Sequence, residues 1–251
     1  MTSGLAERVR HPRFERLLVG ALFLISGLAA LVYQVAWQRL LAFHSGVGVT
    51  SVALIVGAFM AGLGLGSHVG GALSARVSRG AALRAFGLIE IGIGLFAVIS
   101  CWLFYDVLLH RASGLYATVW GSAAGHVLAL GIPTTLMGMS LPFLVRAMVR
   151  DGATAPGTIA VLYGINVVGA AVGALVTPWV LIRHLGIPGA VLAGAAGSLL
   201  TGLVTLGLSL HPSWRSGESA EAPASRPAKQ AGAQGLGLWA ALYGLSGFVA
   251  L

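Results

Sequence analysis

Five polar side chains stand inside long apolar stretches of this chain: Glu90 in "LIEIGIGLF", Ser140 in "IPTTLMGMSLP", Tyr163 and Asn166 in "LYGINVVGAAVG", and Gln34 in "YQVAWQR". A carboxylate in such a setting can hold a proton or a small cation. A hydroxyl, a phenol or an amide can complete its hydrogen bonds. Two readings of Glu90 stay open. It is either a neutral group that bonds neighbouring helices together or the charge partner of a proton or cation. A charge inside a membrane helix costs at least about 2.5 kcal/mol on insertion scales, and such residues face the protein interior or a watery cavity.

Spacing relates three of the five. Glu90 lies five positions past the start of its apolar run at Ala85, Asn166 seven past Ile159, and Ser140 five before Val145. If these ends lie on one side of a bilayer, a helical rise of about 1.5 Å per residue sets all three at similar depth. Glu90 shares a helix face with Gly87, Gly94 and Ala97, and Asn166 shares one with Tyr163, Ala170 and Gly173. Small residues mark packing faces, so Glu90, Asn166 and Ser140 are expected to meet. Together with Tyr163 and Gln34 they are the candidate binding residues.

Other chemistry has no residues to carry it. The single Cys101 has no partner for a disulfide and no metal-ligand spacing around it. No paired histidines occur at zinc-site spacing, so neither a metal nor a cofactor is expected within 1–251. The seven acidic residues are scattered, and no catalytic residue can be named. The net charge of +8 is spread between apolar runs and forms no basic face, so no nucleic-acid partner is expected.

The elements that position these side chains follow from composition. Hydrophobic residues make up 57% of the 251, charged residues only 9%, and 37 are glycine. Soluble domains carry about 25% charged residues. The expected partner is therefore the lipid bilayer, and the expected fold an all-α, polytopic membrane helix bundle. A crossing takes about 20 mostly apolar residues. Six stretches qualify: Leu17–Gln38, Thr50–Val69, Ala85–Tyr105, Ala124–Val145, Ile159–Leu181 and Gly189–Leu210. Twelve of the fifteen Lys and Arg fall before the first run, after the second, after the fourth or after the sixth. The other three, Arg39, Arg111 and Arg183, fall at the opposite ends. The positive-inside rule then makes the basic segment 1–16 and the linker 211–236 cytoplasmic, around a transmembrane domain at 17–210. The linker is rich in Pro, Ser, Ala and Gly and reads as disordered.

The chain's last stretch, 237–251, reads as the start of a seventh helix. "ALFLISGLAAL" (Ala21–Leu31) and "ALYGLSGFVAL" (Ala241–Leu251) are identical at six of eleven positions. This predicts an internal parallel repeat whose second copy is cut short, and a remainder of the same polypeptide as partner.

Within the runs, Gly62, Gly66 and Gly70 recur four apart and predict a tight packing ridge, as do Gly169 and Gly173. Pro133 and Pro142 predict a kinked or locally unwound fourth helix. Tyr33 and Trp37, near the end of the first run, read as interfacial anchors.

The stretches "SGLAALVYQVAWQRLL", "AFMAGLGLGSHVGG", "LIEIGIGLF", "PTTLMGMSLP" and "LYGINVVGAAVGAL" occur here in a fixed order. As a set they resemble bacterial fused transporter-like (major-facilitator-like)/spermidine-synthase-like integral membrane proteins, over roughly Leu22 to Leu185 and again at 237–251. The segment "GALSARVSR" (Gly71–Arg79) is similar to the cytoplasmic loop motif of major facilitator transporters. Ala75 stands where that motif has its acid, and Ser78 where it has its second glycine. The resemblance implies a membrane part, in the bacterial cytoplasmic (inner) membrane, preceding a spermidine-synthase-like domain that transfers an aminopropyl group to a polyamine. Two functions follow as expectations. The first is a membrane domain that anchors, and feeds, a missing catalytic domain. The alternative is half of a transporter for a small cation such as a polyamine, with Glu90 as charge partner.

Overall fold

A computed structural model describes residues 3–45, 48–111, 113–149, 152–211 and 214. The expected linker over 212–236, Trp214 excepted, and the expected repeat start at 237–251 lie outside the described residues. Every regular element among the described residues is helical. Helix α1 spans Ser3–Ser45, α2 Val49–Ser74, α3 Arg79–Trp102, α4 Val119–Met148, α5 Ala155–Val176 and α6 Ile182–Ser209. A π-helical stretch, Leu103–Leu109, extends α3. A short 3-10 helix, Ser113–Ala117, precedes α4, and a second π-helical stretch, Thr177–Leu181, joins α5 to α6.

Five helical runs are long and apolar enough to cross a membrane: Phe14–Phe43, Val49–Ser74, Arg79–Leu108, Val119–Met148 and Ala155–Ser209. Sequence alone led us to expect six separate crossings. The last two expected spans instead form one run of 55 residues, interrupted only at Gly186 (φ 71°, ψ 178°). That conformation lies outside the range of ordinary L-residues, and Pro188 follows it. Of the two alternatives for the fourth helix, kinked or locally unwound, unwinding is not seen: α4 stays helical through Pro133 and Pro142. Near the first of these, Thr134 donates to the Leu130 carbonyl at 2.6 Å.

Helix starts obey local chemistry. The Ser78 side chain accepts from the Ala81 amide and caps α3, and Thr118 caps α4 by accepting from Gly121. At one end of the bundle two arginines satisfy backbone carbonyls between helices. Arg79 Nε donates to Ala147 O and Arg146 Nε to Val77 O, both at 3.0 Å. Glu15 and His211 lie 3.5 Å apart, and the Arg79 guanidinium sits over the Trp214 ring. The Glu15 region of α1, the start of α3 and the C-terminal ends of α4 and α6 thus gather on one side.

Helix pairing has an internal symmetry. The close partners are α2 with α4, α5 with α1, α3 with α4, α6 with α1, and α3 with α6. Exchanging α1, α2 and α3 for α4, α5 and α6 leaves that set unchanged. Glycines make the two equivalent outer contacts possible. A Cβ at Gly62, Gly66 or Gly70 would overlap Thr134, Thr135 or Met139 of α4, and one at Gly169 or Gly173 would overlap the α1 backbone at Leu24 or Leu28. In lipid, where apolar side chains gain little from leaving one solvent for another, such close backbone approach supplies the packing attraction.

Candidate functional site

Glu90 lies on the buried face of α3 with Gly87, Gly94 and Ala97. Gly87 meets Gly202 of α6, where a Cβ on either would press on the other's carbonyl at 3.0 or 2.7 Å. This close crossing holds α3 against α6 and leaves the Glu90 carboxyl to reach α1 and α4. Ser26 of α1 donates to Glu90 Oε1 at 2.6 Å, and Ser140 of α4 donates to the same oxygen at 3.2 Å. Ser198 of α6 is also close enough to bond the carboxyl, and it accepts from the Tyr33 hydroxyl at 3.2 Å. Glu90 is 1% exposed. Four helices therefore converge on one acid.

Beside them lies a cavity of about 220 Å³. Its polar lining comprises Glu90, Ser26, Ser140, Ser198 and Tyr33, with Gln34 and Asn166 contributing amides. Phe23, Phe59, Leu31, Ile93 and Leu141 supply apolar wall. None of its described lining residues is Lys, Arg or His. Asn166 reaches this space from α5 because Gly27 of α1 has no side chain: a Cβ there would overlap the Asn166 carbonyl and crowd its side-chain oxygen.

Farther along the same helices the interior is closed by rings. Tyr33 and Trp37 stack with centroids 4.9 Å apart, and Trp37 meets Phe96 and Phe104 edge-on at 5.8 and 6.1 Å. Trp37 Nε1 donates to Ser100 Oγ at 2.9 Å, and Ser100 in turn donates to Ala97 O at 2.8 Å. Tyr33 and Trp37 are fully buried. This corrects the expectation of interfacial anchors: each ring has a polar partner on another helix, so its polar end needs no water.

Of the residues singled out from sequence, Glu90, Ser140, Asn166 and Gln34 share the cavity. Tyr163 does not; it is 59% exposed on the outside of α5. The packing glycines lie at helix contacts, away from the acid. Sequence reasoning missed Ser26, Ser198 and the bonding role of Tyr33. A signal for Ser26 did exist, since the pair Ser26–Gly27 recurs as Ser246–Gly247 in the similar stretch Ala241–Leu251. Ser198 gave none, because one serine in an apolar run is ordinary. Among the described residues no cluster of three or more His, Cys, Asp or Glu side chains could hold a metal ion.

Comparison with known proteins adds what geometry alone does not. The chain is 30% identical over 205 residues to "Polyamine aminopropyltransferase 2" of Streptomyces coelicolor, across 79% of this chain and 35% of that protein. It is 30% identical over 192 residues to "Polyamine aminopropyltransferase" of Mycobacterium tuberculosis, across 72% of this chain and 34% of that one. The protein of the same name from Corynebacterium efficiens is 29% identical over 197 residues. The chain is related to proteins named polyamine aminopropyltransferase. It spans about a third of the length of these curated relatives. A match over 79% of the chain leaves too few residues outside it to miss the helices, so the likeness falls on the bundle. No family model matches the chain, and no solved structure matches it.

Proposed function

We propose that residues 1–251 form the membrane-embedded part of a spermidine-synthase-like protein, tethering its catalytic portion to the bacterial cytoplasmic membrane. The observation that carries this reading is that the likeness to polyamine aminopropyltransferases falls on apolar helices and covers only about a third of those proteins. The reading is supported by composition, since a chain with 9% charged residues cannot cover itself in water. It includes six crossings. A helical run of 55 residues would be roughly 80 Å long, against about 30 Å of hydrocarbon. The break at Gly186 divides it into two arms, and both α5 and α6 pack on α1.

The test is fractionation of cells expressing the complete reading frame. Aminopropyltransferase activity is expected in carbonate-washed membranes. Activity wholly in the soluble fraction would overturn the proposal. Orientation is tested in a Cys101→Ser background. An impermeant thiol reagent on intact cells is expected to label Gly114→Cys and spare Ala75→Cys, and the reverse pattern refutes a cytoplasmic basic end.

A second reading, half of a transporter for a small cation, is favoured by one specific observation. The pairing of α1–α3 and α4–α6 is interchangeable, and three crossings reverse the direction of the chain. An interchange of this kind is what two inverted three-helix repeats, as in each half of major facilitator transporters, would produce. Uptake of labelled putrescine by proteoliposomes holding the complete protein supports this reading; its absence removes it.

A further inference from the structure

We infer that the cavity beside Glu90 is a binding site for one primary ammonium group on a short alkyl chain. The inference deepens the reading above and rests on it only for the choice of a polyamine as the first probe. The site itself is argued from its chemistry.

The first ground is an unmatched acid. Glu90 is 1% exposed, and no Lys, Arg or His is among the described residues lining the cavity beside it. Its neighbours are neutral hydroxyls, of which Ser26 and Ser140 both donate to Oε1. An acidic side chain in the membrane interior stays where it has a partner or a pathway to serve. An apolar residue at this position would pack against α1 and α4 without any such requirement.

The second ground is the type and number of acceptors. An alkylammonium carries three N–H donors. The Glu90 carboxylate can take one. The hydroxyl oxygens of Ser26, Ser140 and Ser198 can take the others, because a hydroxyl rotates to accept when its own proton is redirected. Tyr33 already donates to Ser198, which fixes that hydroxyl's partner on one side and leaves it to serve the cavity on the other. A divalent metal ion would need more anionic ligands than the one carboxylate present. A quaternary ammonium has no N–H donors to use the hydroxyls.

The third ground is the rest of the wall. Phe23 and Phe59 line the same space, and aromatic faces attract a cation through the ring quadrupole. Leu31, Ile93 and Leu141 suit methylene groups, while the amides of Gln34 and Asn166 offer oxygens for a second polar end. A volume of about 220 Å³ holds several waters or one short alkylamine. The larger groove between α1 and α5 differs: it is lined by Arg16, Thr154 and Thr158 among apolar residues, with no acid among its described lining residues.

The test is isothermal titration of putrescine into the full chain reconstituted in lipid nanodiscs, with folding checked by size exclusion and thermal unfolding. Saturable binding is expected, displaced by butylamine and not by tetramethylammonium or by sodium chloride at matched ionic strength. Glu90→Gln, which keeps hydrogen-bonding capacity without the charge, should weaken binding roughly tenfold or more. Ser26→Ala should weaken it several-fold, and Trp120→Ala, on the outer surface, should leave it unchanged. If folded wild-type chain shows no saturable binding, if sodium competes as well as butylamine, or if Glu90→Gln binds like wild type, the inference is overturned. Each of these failures, in a chain that is nonetheless inserted in the membrane, leaves the membrane-module reading standing. A chain absent from the membrane fraction overturns that reading instead.

Discussion

Two parts of the interior, built on the same helices, solve opposite problems. Around Trp37, four aromatic rings and one serine close the space between α1 and α3, and the indole N–H has its acceptor on Ser100. Around Glu90, ten residues earlier on α3, the same helices leave about 220 Å³ open beside an acid. One region is filled where filling was possible; the other is kept open and lined with oxygen. Ordinary packing favours the first arrangement, because voids forfeit dispersion contacts. On the inference above, the second is the region that forgoes packing to hold a ligand.

Substitutions can break or sharpen that contrast, and the largest effect belongs to the aromatic region. Trp37→Ala removes the ring that touches Tyr33, Phe96 and Phe104, and should destabilise the protein by about 3–5 kcal/mol. Thermal unfolding in detergent measures it. A loss no larger than that of a surface substitution would mean that the rings are not the structural core.

Gly66→Ala comes next. Its new methyl group meets the α4 backbone at Thr135 and Gly138, so α2 must shift outward at a cost of about 1–3 kcal/mol. An unchanged melting temperature would show that the two helices do not touch as closely as described.

Ser100→Ala leaves the buried indole N–H of Trp37 without its acceptor and should cost about 1–3 kcal/mol, toward the lower end if water reaches the ring. Tyr163→Ala, on the exposed side of α5, should change stability by less than about 0.5 kcal/mol. It also leaves amine binding untouched, since Tyr163 does not line the cavity. A marked loss of binding in this variant would move the site to the outside of the bundle.

Much of this arrangement was legible in the sequence. The apolar runs fix where helices form, and the small residues around Glu90 and Asn166 fix which way those side chains point. Ser140 follows from depth alone. Other features were hidden for physical reasons. Tyr33 and Trp37 have the amphipathic rings and the near-terminal position of an interfacial belt, and only their partners on α6 and α3 show them to be interior. Ser26 and Ser198 are single hydroxyls in apolar runs, where the sequence does not distinguish a bond to the helix's own carbonyl from a bond across helices. The break at Gly186 gave no warning, since one glycine among 37 does not announce a positive φ.

The central claim is that the Glu90 region serves a ligand while the Trp37 region serves the fold, and one measurement separates the two. Melting temperatures of wild type, Glu90→Gln and Trp37→Ala would be recorded in nanodiscs with and without saturating putrescine. A ligand that binds only the folded state raises the melting temperature by mass action. We predict that putrescine raises it for wild type and for Trp37→Ala, whose starting value is much lower, and raises it clearly less for Glu90→Gln, which starts near the wild-type value. An equal putrescine shift in Glu90→Gln, or a Glu90→Gln protein as unstable as Trp37→Ala, would contradict the account.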